Sequence, residues 1–149
     1  DNEKIIEALL RYHAKVNIKD YKSRAPLHDA CMKTNNEKII KLLLQHNAYV
    51  NERDRNRKTP LHVACAHTKN DQILEFLLNH HANVNLRDKW NRTPFNVVQR
   101  KNRDMIHVFL KCRGGNGEYL DQMCCQYQYI SSYLHYHPPL IHHLNSDKE

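Results

Sequence analysis

The stretch Thr59-Pro60-Leu61-His62-Val63-Ala64-Cys65 decides how this chain folds, because its first four positions recur at a fixed interval. Ala25-Pro26-Leu27-His28 precedes it by 34 residues, and Thr93-Pro94-Phe95-Asn96 follows it by 34. In each copy the proline falls in the first turn of a predicted helix, where a backbone N–H would have no partner within the helix. Self-similarity at a fixed period indicates a repeat architecture, so the chain is predicted to stack copies of one structural unit.

Two further markers recur in the same register. An Ala-x-Val-Asn motif occurs at Ala14–Asn17, Ala48–Asn51 and Ala82–Asn85. Paired apolar residues such as Ile39-Ile40 and Leu43-Leu44 also recur, and their spacing places them on one face of a second helix. Thr59 and Thr93 are good N-caps for the first helices, whereas Ala25 is a poor one. Each unit is therefore predicted to contain a short helix, a polar loop, a second helix and an extended finger.

These motifs resemble the ankyrin repeat, and the resemblance covers residues 1–112. It implies an all-α solenoid of helix-turn-helix units with extended or β-hairpin fingers, followed here by a C-terminal helical tail. We assign a partial repeat to 1–17 and full repeats to about 18–51, 52–85 and 86–112. The chain opens directly in a second helix, so we expect that it continues a longer array.

The sequence departs from the ankyrin pattern at six positions where the family usually has glycine. After the second helix these positions hold His13, Asn47 and His81, and at the tips of the fingers they hold Ser23, Arg57 and Asn91. After the second helix, glycine is favoured because that position prefers a left-handed backbone, which Asn and His tolerate better than most residues. We expect the replacements to lower stability without changing the fold.

Composition narrows the class of protein. Residues 1–112 hold 21 Lys and Arg against 12 Asp and Glu, a net charge of +9, whereas residues 113–149 hold 2 against 4, a net charge of −2. A basic body favours an acidic partner surface.

Five cysteines without a framework spacing argue against a disulfide scaffold, and Cys31 and Cys65 are predicted as buried apolar side chains. No apolar run approaches the roughly 18–20 residues of a membrane span. We expect a monomeric intracellular protein of the cytoplasm or nucleus.

No motif of the sequence points to catalysis. We find no nucleophile elbow, phosphate loop or zinc-protease helix. His28 and His62 are predicted to bond backbone between neighbouring units. The tail contains Cys124-Cys125 and four histidines from His135 to His143, but their spacing fits no common zinc module. We therefore expect no enzyme activity, metal or cofactor.

The resemblance implies that the fingers and first helices of one concave face contact a partner. The predicted partner-binding residues are Tyr21, Lys22, Arg24, Lys33, Arg55, Asn56, Lys58, His67, Lys89, Trp90, Arg92, Arg100 and Lys101. Nine of them are Lys or Arg and none is acidic, so the predicted partner is an acidic or phosphorylated protein segment. Nucleic acid ranks below protein, because only Tyr21 and Trp90 offer rings for stacking.

The tail leaves three interpretations of function open. Residues 113–117 are predicted to form a Gly-rich hinge, and 118–136 a helix that caps the last repeat, before a loose segment; a strand or disorder is the alternative. Leu120, Cys124 and Pro138-Pro139-Leu140 partly resemble a cullin-adaptor box, which would make the chain a substrate adaptor of a ubiquitin ligase. A third hypothesis is an ankyrin inhibitor of Rel-type transcription factors. The contact surfaces of such inhibitors tend to be acidic, so the basic fingers count against it.

Overall fold

The computed structural model describes residues 2–33 and 37–101, with side chains described through Val98. Every regular element in this part of the chain is an α-helix. The helices are α1 Asn2–Arg11, α2 Pro26–Lys33, α3 Glu37–Gln45, α4 Pro60–His67, α5 Asp71–Asn79 and α6 Pro94–Lys101. The predicted hinge, capping helix and adaptor box all lie outside the described residues.

The helices form two layers of a repeat stack. α2, α4 and α6 pack side by side as the inner layer, while α1, α3 and α5 form the outer layer. The apolar motif positions fill the space between the layers, with Leu27 and Leu61 of the inner helices and Ile40 and Leu74 of the outer helices fully buried. This is the all-α solenoid of helix-turn-helix units that the repeated motifs predict. The fingers between the units are extended, without a strand in the described residues.

The start of α4 explains why Thr59 and His62 stand three positions apart. Thr59 is the N-cap, and its hydroxyl oxygen accepts a hydrogen bond from the His62 backbone N–H at 3.4 Å. The Nδ1 atom of His62 accepts in return from the Thr59 backbone N–H at 3.2 Å. Ala25 has no hydroxyl, so α2 keeps only the second of these bonds, from the Ala25 N–H to His28 at 3.1 Å. The expected difference between the two caps is confirmed.

All six positions that lack the family glycine have a left-handed backbone. His13, Asn47 and His81 have φ of 60°, 62° and 64°, and Ser23, Arg57 and Asn91 have φ of 59°, 59° and 61°. Asn tolerates this conformation better than a long side chain does, because its short amide bonds to the local backbone. The turns therefore keep their geometry, and the replacement of glycine at these positions lowers the stability of the folded state.

Arg57→Gly is expected to raise the free energy of unfolding by about 0.5–1 kcal/mol. The left-handed strain of about 1–2 kcal/mol disappears, and the greater freedom of glycine in the unfolded chain offsets part of the gain. Asn47→Gly is the matched control and should gain less than half as much. Urea denaturation measures both variants, and a larger gain for Asn47→Gly would contradict this explanation.

The two described cysteines are part of the core. Cys31 and Cys65 lie on the inner helices, are free, and are almost completely buried. Burial raises the pKa of both thiols far above the usual range, so they stay neutral and act as small apolar side chains. This confirms their predicted role. Within the described residues, no helix is long and apolar enough to cross a bilayer.

Candidate partner-binding surface

An aspartate organises each finger of the stack. In the first finger, one carboxylate oxygen of Asp20 accepts hydrogen bonds from the backbone N–H groups of Lys22 and Arg24, both at 2.8 Å. A backbone bond from the Asp20 N–H to the Arg24 carbonyl at 3.0 Å closes the same turn. Asp54 and Asp88 make the equivalent bonds in the second and third fingers. The three fingertips therefore have one fixed shape.

The second carboxylate oxygen of two of these aspartates binds an arginine of the same finger. Asp20 accepts from Arg24 Nε at 2.9 Å and Nη2 at 2.7 Å, and Asp88 accepts from Arg92 at the same two distances. Two charge-assisted hydrogen bonds to one carboxylate oxygen fix both side chains. Two of the predicted partner-binding cations are thus already neutralised by acids of the chain itself.

The pKa values of these carboxyl groups agree with the geometry. The backbone N–H of Arg24, together with its guanidinium, lowers the pKa of Asp20 to about 2. Burial alone would raise the pKa of Asp88, but hydrogen bonds from the Arg92 side chain and backbone and from the Trp90 backbone outweigh it, and the pKa is lowered. Both aspartates are therefore ionised at neutral pH and hold their arginines in place.

An acidic side chain on α2 neutralises further charge in the first repeat. Asp29 contacts Arg24 Nη1 at 3.0 Å and Lys33 Nζ at 3.2 Å. Val63 and Val97 occupy the same register in α4 and α6, and both are buried. The first repeat therefore presents less free positive charge than its Lys and Arg content suggests.

Of the predicted partner-binding cations, three remain exposed without an ion pair, one on each finger, and Arg57 and Arg87 are further exposed cations of the second and third fingers. Lys22, Arg55 and Lys89 are exposed, and none of them forms an ion pair with a carboxylate in the described part of the chain. The Arg55 backbone N–H donates to the Lys22 carbonyl at 2.9 Å, and the Lys89 N–H donates to the Asn56 carbonyl at 2.8 Å. These bonds join neighbouring fingers, so the three charges lie along one continuous edge.

Two exposed aromatic rings lie at opposite ends of this edge. Tyr21 on the first finger is 74% exposed, and Trp90 on the third is 52% exposed. Lys22 Nζ lies 5.2 Å from the centre of the Tyr21 ring. Lys58 Nζ and Arg92 Cζ lie 5.4 Å and 4.8 Å from the centre of the Trp90 ring. Cation–π contacts of this kind hold a ring in place while it stays open to solvent. The prediction of Trp90 at a fingertip is confirmed.

Buried histidines attach the second and third fingers to the inner helix of the preceding repeat. The Nε2 atom of His62 donates to the Arg92 carbonyl at 2.9 Å, and Nε2 of His28 bonds to the Lys58 carbonyl at 3.1 Å. Both rings are buried, so these bonds are shielded from water. This confirms that His28 and His62 are structural. The finger edge is positioned by the core of the stack.

The stability of the stack is expected to fall as the pH drops below about 6.5. Burial lowers the pKa of His62 below its ordinary value of 6.5, so the unfolded chain takes up a proton that the folded chain does not. Stability is therefore lost from pH 6.5 down to the folded pKa, with a slope of at most about 1.4 kcal/mol per pH unit for this group. Thermal melts of wild type and His62→Asn at several pH values measure it. An equal slope in both proteins would contradict the assignment, since the other titrating groups are shared.

The predicted site residues therefore separate into five groups. Tyr21, Lys22, Arg55, Lys89 and Trp90 are exposed at the fingertips, and we call these five residues the fingertip surface. Asn56 and Lys58 are half-buried beside it. Lys33 and His67 lie exposed at the ends of α2 and α4, while Arg24 and Arg92 bind their own aspartates. Arg100 and Lys101 lie at the end of α6, and their side chains are outside the described residues.

The aspartates of the fingers organise the candidate surface, and the sequence analysis missed them. Asp20, Asp54 and Asp88 recur at the 34-residue period, and each has a basic residue four positions later. That regularity was the available signal, because Asp at the first position of a turn bonds to the backbone two residues on. The described residues contain no cluster of His, Cys, Asp and Glu that could hold a metal ion.

Comparison with known proteins agrees with the repeat geometry. The family model for ankyrin repeats (3 copies) matches residues 1–88 and 46–121, which together are most of the chain. No curated protein matches the sequence significantly.

Proposed function

Since the chain belongs to the ankyrin-repeat family, whose members generally bind proteins, we propose that it is a non-catalytic module that captures an acidic or phosphorylated protein segment on its fingertip surface. The supporting observation is the row of three exposed cations, Lys22, Arg55 and Lys89, on successive fingers. The carboxylates nearest to them already bind backbone N–H groups and arginines.

The composition of the surface favours a protein partner. Exposed ion pairs contribute about 0.2–1 kcal/mol each, so three of them supply about 0.6–3 kcal/mol in total. That alone gives weak binding. The rings of Tyr21 and Trp90 add apolar area of the kind that dominates protein interfaces. A partner segment that contacts both the charges and the rings therefore gains more than a purely electrostatic ligand does.

The two alternatives for function rest on other parts of the chain. A role as a ubiquitin-ligase adaptor depends on residues 113–149, which lie outside the described residues. A Rel-type inhibitor would need an acidic contact surface, whereas the fingertip surface is positively charged. No observation on the described residues favours either alternative.

The proposal is tested by titrating the protein with a Glu-rich peptide at low and at moderate salt. We expect binding that weakens about tenfold over a fivefold rise in salt, because exposed charge pairs are screened. The same peptide with every Glu replaced by Gln is the control and should bind at least tenfold more weakly. Equal binding of both peptides would reject the proposal. Tighter binding of single-stranded DNA would assign the surface to nucleic acid instead.

A further inference from the structure

We propose that Arg53, Arg57 and Arg87 bind the phosphate of a phosphorylated side chain on the protein partner, and we call these three residues the arginine cluster. None of them belongs to the fingertip surface. This inference rests on the proposed function, because it specifies which acidic group, carboxylate or phosphate, the partner presents to the second and third fingers. Three observations support it: the contacts that join the arginines, the pairing of the nearby acids with other groups, and the fixed position of the Arg53 guanidinium.

The side chain of Arg53 contacts the backbone of both other arginines. Its Nε atom donates to the Arg57 carbonyl at 3.4 Å, within the same finger, and its Nη2 atom donates to the Arg87 carbonyl at 2.6 Å, on the next finger. The Arg53 guanidinium therefore lies beside the two points where the other side chains leave the backbone. Arg57 and Arg87 are exposed, so their side chains can turn toward a group bound next to Arg53.

Glu52, the residue before Arg53, is already bound elsewhere. Its carboxylate contacts Lys19 Nζ at 2.9 Å and accepts from the Arg53 backbone N–H at 3.1 Å. The hydrogen bond from Lys19 lowers the pKa of Glu52, so this carboxylate is ionised at neutral pH and holds the lysine. Lys19 occupies in the first finger the register of Arg53 and Arg87. The first finger therefore has its cation at this position neutralised by an acid of the chain.

The arginine cluster has no such counter-ion. Across residues 2–33 and 37–98, no ion pair involves any of its three members. Asp54 accepts from backbone N–H groups of its own turn, and Asp88 binds Arg92. Three positive side chains thus extend from one small area of the second and third fingers, and an anion bound among them relieves their mutual repulsion.

Hydrogen bonds to the backbone hold two of the guanidinium groups in place. Arg53 is fixed through Nε and Nη2, which leaves its Nη1 atom available to a ligand. The Nη1 atom of Arg87 donates to the Asn91 carbonyl at 3.1 Å, and its other nitrogens are available in the same way. A guanidinium presents its N–H donors in a planar fork that fits two oxygens of a phosphate. Donors that are already ordered lose little entropy on binding.

The charge of the arginine cluster favours a phosphate monoester over a carboxylate. A phosphorylated side chain carries a charge of about −1.5 to −2 at neutral pH and has three strong acceptor oxygens. A carboxylate has a single charge and two oxygens, so it leaves part of the cluster unneutralised. A phosphodiester of a nucleic-acid backbone also carries a single charge and is matched less well.

Three peptides test the preference for phosphate in the full chain. Each is the same Glu-rich segment with phosphoserine, glutamate or serine at one central position, and fluorescence anisotropy measures the affinity. We expect the phosphoserine peptide to bind at least about tenfold tighter than the serine peptide and about threefold tighter than the glutamate peptide. Equal binding of the phosphoserine and glutamate peptides would overturn the inference and leave the proposed function intact. If none of the three binds, the proposed function fails as well.

Two substitutions separate the geometry of the cluster from its charge. Arg53→Lys keeps the charge and loses the planar fork, while Arg57→Gln removes a charge without removing the backbone carbonyl that Arg53 binds. We expect either one to reduce the preference for phosphoserine over serine about threefold or more. Lys41→Gln, at an exposed position of α3, is the control for charge. An equal loss of preference in Arg57→Gln and Lys41→Gln would overturn the assignment.

Single-stranded DNA of the same length identifies the source of the phosphate. We expect the DNA to bind more weakly than the phosphoserine peptide, and to compete with it only at higher concentration. DNA that binds tighter than the phosphoserine peptide, and that loses this affinity in Arg57→Gln, would assign the arginine cluster to nucleic acid and overturn the inference.

Discussion

Replacing His62 with Ala is expected to lower the free energy of unfolding by about 3–5 kcal/mol, far more than any substitution on the exposed fingertips. The imidazole accepts from the Thr59 N–H at 3.2 Å and donates to the Arg92 carbonyl at 2.9 Å, and its ring is almost completely buried. Alanine leaves the buried Thr59 N–H unsatisfied, at about 1–3 kcal/mol, removes one of the two hydrogen bonds of the Arg92 carbonyl, and also creates a cavity. A domain with a stability of about 5–15 kcal/mol would lose much of it.

The third repeat supplies the matched control for this prediction. Asn96 occupies the position of His62 there, and its side-chain oxygen accepts from the Thr93 N–H at 3.0 Å and from the Thr93 hydroxyl at 3.1 Å. Asparagine thus keeps the bonds within the cap but is too short to replace the imidazole bond to the next finger. We expect His62→Asn to lose about 1–2 kcal/mol. Urea denaturation compares the two variants, and equal losses would mean that the cap bonds contribute nothing.

Reversing the three fingertip charges together is expected to weaken binding of an acidic peptide by about 100-fold. Each of Lys22→Glu, Arg55→Glu and Lys89→Glu replaces an attraction with a repulsion, and a change of about 1 kcal/mol per site gives this factor. Isothermal titration with the Glu-rich peptide measures the affinity. Circular dichroism checks that the variant is folded, as expected for three exposed positions.

A second triple variant controls for net charge. Lys15, Lys41 and Lys69 are exposed and lie outside the fingers, and none of them forms an ion pair in the described residues. Each substitution by Glu changes the charge by two, so either triple variant brings the formal net charge from +7 to +1. We expect less than a threefold change for the control. Similar losses in the two triples would show that binding follows overall charge rather than the fingertip surface.

The repeat architecture was predictable because each recurring residue has a local physical reason. Proline fits a first helical turn, threonine caps it, and the paired apolar residues fill one helical face. The left-handed positions after the second helices also followed from the resemblance, since a turn that normally requires glycine keeps its backbone when His13 or Asn47 replaces it. These features depend on a few neighbouring residues, which the sequence shows directly.

Which cations are free was less predictable, because it depends on contacts across a folded turn. Arg24 and Arg92 resemble Lys22 and Lys89 in the sequence, yet the arginines bind the second oxygen of an aspartate whose first oxygen is held by the backbone. Asp29 has a similar effect, since its position between two cations depends on how α2 packs beside its finger. Ion pairs with aspartates decide which cations remain available to a partner, and the residue types alone do not show which ion pairs form.

The central claim is tested most directly by a map of backbone amide chemical shifts during titration with the Glu-rich peptide. We predict that the largest changes occur at Lys22, Arg55 and Lys89, together with the indole N–H of Trp90, while amides of the outer helices α3 and α5 change little. Changes concentrated on α3 and α5, with the fingertip amides and the Trp90 indole unmoved, would show that the partner docks elsewhere and would contradict the central claim.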